Sequence, residues 1–215
     1  ITLDALDVNP YLGPPPSADG AAQTAQGVNV QEPWGNAPID MAGLKAVNAD
    51  LKLTTGQLLF QKMKLDSAVM DIALKDGVMN AKLNRFALYG GTGSGVLTLD
   101  GRAAGIGMTN QLSVRGVNAK SFLTDAIALD AISGVANVDM TIKGAGATQQ
   151  VLMNNLSGNA KFAFENGAVS GFDLAAIAHD AKAALSSSGR GPNAKTTFST
   201  MSASFALANG VGTTS

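Results

Sequence analysis

The chain has 215 residues, of which 46% are hydrophobic and only 14% charged, and its net charge is −1 at pH 7. It is long enough for one large β domain or two small ones with a buried core, and without a Lys/Arg block it lacks the footprint of a nucleic-acid binder. The absence of cysteine excludes disulfides and thiolate metal sites, and no apolar run reaches the roughly 18 residues that span a bilayer.

In chain order, residues 1–12 read as the end of a preceding β segment that runs into a turn at Asn9-Pro10. Residues 13–38, with Pro14-Pro15-Pro16 and abundant Gly, Ala and Gln, read as an extended linker, because prolines cannot join a ladder. Trp34, the sole tryptophan, is placed to pin that linker to the body or to stand exposed. Residues 39–215 then form the main β domain.

From Met41 to Gly101 the pattern is a β-meander: Ala49, Leu51 and Leu53 alternate, followed by Leu58 to Leu65, Val69 to Leu74, Val78 to Leu88 and Val96 to Leu99. Gly56, Asp76-Gly77, Gly90-Gly91 and Asp100-Gly101 separate them as turns. A strand is expected over Gln111 to Val117, a short helix near Lys120 to Asp125, and a strand from Gly134 to Lys143. Thr148 to Leu156 predicts a short amphipathic helix with a Thr start. Gly171 to Leu185 predicts a longer one, with Leu174, Ile177, Ala181 and Leu185 on one stripe and His179 on the polar face. Ser186 to Thr197 reads as a polar loop, and the last strand as Phe198 to Leu207.

One device recurs. Met70 to Gly77, Ala160 to Gly167 and Ala203 to Gly210 each place apolar residues seven, five and three positions before a glycine, with Asp or Asn directly before it. Period two puts those residues on one strand face, and Asp-Gly or Asn-Gly supplies the positive φ angles of a hairpin turn. Both chain ends read as cuts through a β pattern. The chain is therefore expected to be a piece of a longer protein, with no return strand after Asn209-Gly210.

Little points to catalysis, and no metal or cofactor is expected. A single histidine, His179, gives neither a His-based triad nor a multi-histidine metal site. Gly91-Thr92-Gly93-Ser94-Gly95 has the spacing of a phosphate loop but precedes a strand pattern, where such a loop must open a helix. Gly189 to Thr196 ends in Lys195-Thr196, but Ala194 stands where a Walker-type loop needs glycine.

The informative feature is a large antiparallel sheet with one apolar face. Its candidate lining is Leu51, Leu53, Met70, Ile72, Leu74, Leu97, Leu99, Met140, Ile142, Phe162, Phe164, Phe205 and Leu207. Such a face must be covered by a second sheet, by helices or by a ligand. Left open, it suits acyl chains, since each buried methylene contributes about 0.8 kcal/mol. Composition alone favours the other reading, an ordinary closed sandwich core.

The chain resembles the C-terminal periplasmic region of the AsmA family, relatives of the TamB-like envelope proteins. The matching words are Leu3-Asp4-Ala5-Leu6-Asp7-Val8-Asn9-Pro10-Tyr11-Leu12, then Trp34, Pro38-Ile39-Asp40, Leu44 to Leu51 and Leu74 to Val78. Leu88-Tyr89-Gly90-Gly91, Leu156 to Ala160, Asn166 to Leu174 and Thr197-Phe198-Ser199 continue the series in order. That resemblance implies a mainly β fold, a curved antiparallel sheet forming an open groove or partial barrel with a few short amphipathic helices. It implies residence in the bacterial periplasm, with the full-length protein anchored to the inner membrane through a segment absent here. It further implies acyl lipids as partners, transport between inner and outer membranes in support of outer-membrane assembly, and envelope proteins as further candidate partners. The Leu174/Ile177/Ala181/Leu185 helix becomes a candidate cap for the groove.

Overall fold

A computed structural model of the chain describes residues 1–11, 35–172 and 190–214. Trp34, most of the expected 13–38 linker, and the helix carrying Leu174, Ile177, His179, Ala181 and Leu185 lie outside the described residues. In chain order come β1 (Thr2–Leu3), β2 (Leu6–Asp7), α1 (Ala42–Ala46), β3 (Ala49–Thr55), β4 (Leu58–Phe60), β5 (Met63–Leu65) and β6 (Ser67–Lys75). There follow β7 (Val78–Leu88), β8 (Gly91–Asp100), β9 (Ile106–Asn118), α2 (Ala119–Ile127) and β10 (Ile132–Gly146). The chain continues through α3 (Gln149–Asn154), β11 (Ser157–Phe172), β12 (Arg190–Ala208) and β13 (Val211–Thr214).

The strands make a ten-stranded sheet in the order β1-β3-β6-β7-β8-β9-β10-β11-β12-β13 and a three-stranded sheet β2-β4-β5. The fold is mainly β, and the large sheet stays open, because its edge strands β1 and β13 do not meet. From β3 to β13 every neighbour is antiparallel; β1 lies parallel to β3, so the sheet is mixed at that edge.

The turns follow backbone chemistry. Asp76-Gly77 and Asn209-Gly210 both take positive φ at the two turn residues, the geometry that matches strand twist in a hairpin. Tyr89-Gly90 does the same with Tyr89 at φ 45°. Asn166-Gly167 does not turn the chain: β11 runs straight through, and the extra residue is absorbed as an irregularity opposite Ser133–Val135 of β10. Gly167 is needed there because a Cβ would stand 2.5 Å from the Phe198 ring. The repeated device therefore makes hairpins at the Asp76 and Asn209 positions and a bulge at Asn166.

Other boundaries also move. Leu58 to Leu65 is not one strand but the β4–β5 hairpin, with Gln61 at φ 53° in the turn. Its backbone there is held by Asn9, whose side chain both donates to the Gln61 carbonyl and accepts from its N–H. Ser186 to Thr197 is not all loop: β12 begins at Arg190, and Lys195, Thr196 and Thr197 pair with Ser170, Val169 and Ala168. Gly171 and Phe172 belong to β11 rather than to a helix. A return strand does follow Asn209-Gly210, since β13 pairs with Phe205–Ala208. Both short helices expected in the described part are present. Asn118 caps α2 by accepting the Ser121 N–H at 3.0 Å, and Thr148 caps α3 by accepting that of Val151 at 3.2 Å.

Candidate functional site: one apolar face

The registers align the apolar side chains in rows that cross the strands. One row runs Leu53, Met70, Leu83, Gly95, Leu112, Met140, Ala160, Phe205, each paired with the next. The row beside it runs Leu51, Ile72, Ala81, Leu97, Asn110, Ile142, Gly158, Leu207. A third holds Ala49, Leu74, Met79, Leu99, Met108 and Gly144. On the other side of the first lie Ala68, Phe86, Gly93, Val114, Val138, Phe162 and Ala203, then Val117, Ala136, Phe164 and Met201. Every candidate lining residue read from sequence falls on this one face. Sequence reading missed the contributions of β7 and β9, namely Met79, Ala81, Leu83, Met108, Leu112 and Val114. In β9 the alternation is interrupted by Asn110, and the start of the strand is hidden with it.

The face is covered unevenly. Along one flank, the small sheet and α2 fold onto it, and Leu58, Leu65, Ala119 and Leu123 join Phe86, Val114, Val117, Val138 and Phe164 in one buried cluster. Val117 is 0% exposed there. The cap is clasped by Tyr89, at the tip of the β7–β8 hairpin. Its hydroxyl donates to Asp125 Oδ2 at 2.6 Å, it accepts from the Lys64 backbone N–H at 3.4 Å, and its ring meets Phe122 edge-on at 6.2 Å. Burial, and then the carboxylate beside it, push the Tyr89 phenol up to about 12.

Along the opposite flank, α1 sets Met41 and Leu44 against Gly101, and α3 sets Leu152 and Leu156 against Gly144. The glycines matter here: a Cβ at Gly144 would stand 2.8 Å from Leu156 Cδ2. Between the two flanks, the rows through Leu51, Ile72, Leu97, Ile142 and Leu207 are only half-buried, and Phe205, at the far end, is 37% exposed. Phe162 and Phe205 pack edge-on at 5.8 Å. The result is a trough with apolar floor that runs across β3 to β12, roughly 34 Å at about 4.8 Å per strand.

The reverse face is polar and hydrogen-bonded across strands. Arg115 Nη2 holds both carboxylate oxygens of Asp139 at 2.7 and 2.8 Å, Ser113 donates to the same carboxylate, and Asn84 donates to Asp71 at 2.7 Å. The guanidinium keeps the Asp139 carboxyl below its ordinary range. At the sheet's end, Arg102 does the same for Asp100, lowering it to about 2. Open depressions of ≈ 470 and ≈ 510 Å³ lie on this face, among Lys82, Ser94, Gln111, Asp139 and Thr141 and among Asn137, Lys161, Ser202 and Ser204. Among the described residues no group of three or more His, Asp or Glu is arranged to hold a metal ion.

An AsmA family model matches residues 17–215. The chain belongs to the AsmA family. Neither a search of curated proteins nor one of solved structures finds a match. The AsmA family is a family of the bacterial envelope and is not known for enzymatic activity. Among the described residues of this AsmA chain, no helix is long and apolar enough to cross a membrane.

Proposed function

We propose that the trough is a lipid-binding surface, a section of a periplasmic path along which phospholipids or related acyl lipids pass between the inner and outer membranes. The observation that carries this reading is the run of apolar rows across the strands, half-buried in its middle between two flanks covered by described elements. A cargo held there gains from non-directional contact, so it can shift along the floor without breaking specific bonds. A sixteen-carbon tail would gain on the order of 10 kcal/mol gross, before the costs of ordering it. Membership of an envelope family supports the setting. In the full-length protein an inner-membrane anchor would hold the trough in place, and supply of lipid to the outer membrane would support its assembly.

Native mass spectrometry of the protein purified from a bacterial host tests the reading. Phospholipid is expected to co-purify at fixed stoichiometry. The double variant Ile72→Asp/Phe205→Asp is expected to keep its fold, losing less than about 2 kcal/mol because both sites are partly exposed, and to lose the lipid. A clean apo mass that takes up no added lipid would leave the competing reading, a non-catalytic scaffold with a closed apolar core. In that case the double variant should unfold, because an unpaired charge in a core is costly.

A further inference from the structure

At the centre of the trough one residue breaks the apolar chemistry. Asn110 pairs with Leu97 on β8 and Ile142 on β10, and shares its strand face with Met108 and Leu112. Among the described residues, its Oδ1 is the one buried side-chain polar atom without a hydrogen-bond partner. Thr55, another polar residue of this face, is satisfied, its hydroxyl donating to the Gln57 carbonyl at 2.6 Å. Buried polar groups are almost always paired, and an orphan is destabilising. A strand also prefers β-branched or aromatic residues to Asn at such a position. Neither packing nor the ladder therefore accounts for an amide here.

We infer that Asn110 is a recognition point for the hydrogen-bonding group beside an acyl chain, which rests on the lipid-trough reading above. The unpaired atom is an acceptor, so the missing partner is a donor; because Oδ1 is closed to solvent in this structure, the Asn110 side chain turns toward the floor of the trough to meet it. A plain acyl ester offers only acceptors near its chain, whereas a hydroxyl on the acyl chain or an amide N–H at its head brings the donor. In both cases an acyl carbonyl lies close by and can accept from the Asn110 amide nitrogen, matching the side chain's paired acceptor and donor. The chemistry recognised is thus an acyl chain with an O–H or N–H near its carbonyl. Its hydrocarbon would lie along the floor that Leu97, Ile142 and their neighbours form on either side.

The test is displacement of a fluorescent long-chain fatty acid by palmitic acid, 3-hydroxypalmitic acid and N-palmitoylglycine, below their micelle concentrations, for the wild type and Asn110→Leu. The wild type is expected to bind at least one donor-bearing acid about tenfold more tightly than palmitic acid, a factor equal to about 1.4 kcal/mol. The acid preferred identifies the donor as hydroxyl or amide. Asn110→Leu is expected to erase the preference, to bind palmitic acid as well as before or better, and to melt at or above the wild-type temperature without ligand. Equal binding of the three acids by the wild type, a preference that survives in the variant, or a lowered melting temperature would each overturn the role of Asn110. If none of the acids displaces the probe, the trough reading fails, and this one with it.

Discussion

The two halves of the apolar face have the same chemistry and opposite fates. Toward the Val117 end, aliphatic and aromatic side chains are covered by α2 and the β4–β5 hairpin and form the molecule's core. Toward Leu51, Ile72, Leu97 and Leu207 the same alternation on the same strands is left half-open. Hydrophobicity does not separate the halves; covering does. The covering comes from segments inserted between strands at two places, β4–β5 between β3 and β6, and α2 between β9 and β10. One half thus holds the sheet together, while the other remains half-buried.

Charge placed in each half should separate them most sharply. Val117→Asp puts an unpaired carboxylate at a fully buried site and is expected to cost more than about 4 kcal/mol. That loss would appear in a urea titration as a collapsed midpoint, whereas the Ile72/Phe205 double variant should keep most of its stability. Equal losses at both places would mean that the open half is as closed as the core.

A milder probe loosens the cap without touching the core. Tyr89→Phe removes the donor to Asp125 and is expected to cost about 1–2 kcal/mol, with faster amide exchange in α2. Since the folded state holds the phenol near 12, the difference from wild type should be full below pH 10 and shrink as pH rises through about 12.

The smallest effect is expected on the polar face. Arg115→Ala breaks a pair whose side chains are both about half exposed, and is expected to cost under about 0.5 kcal/mol at neutral pH. Because the folded state lowers the Asp139 carboxyl, that difference should persist above the ordinary carboxylate pKa and vanish as pH falls through the lowered value. A larger loss would give the reverse face a structural weight its exposure does not suggest.

Much of the sheet was legible because period-two alternation is a local signal. Leu51/Leu53, Met70/Ile72/Leu74 and Leu97/Leu99 announce their common face without knowledge of any partner. What was hidden was decided at a distance. Asn166-Gly167 looks like the two neighbouring turn signals, yet β10 and β12 run past it on both sides, and the Phe198 ring over Gly167 fixes it as a bulge. The β4–β5 reversal has no Gly, Pro or Asn of its own, and borrows its hydrogen bonds from Asn9. The strand start at Ile106 was masked because a polar Asn110 sits where alternation demands an apolar residue. The candidate cap on Leu174, Ile177, Ala181 and Leu185 lies outside the described residues.

The rows cross the strands rather than follow them, and this fixes how such a molecule changes size. Lengthening a strand only widens the trough, while one more hairpin extends it by about 10 Å with its cross-section unchanged. Reach is therefore counted in hairpins, and repetition lengthens the apolar floor without altering the side chains that line each stretch of it.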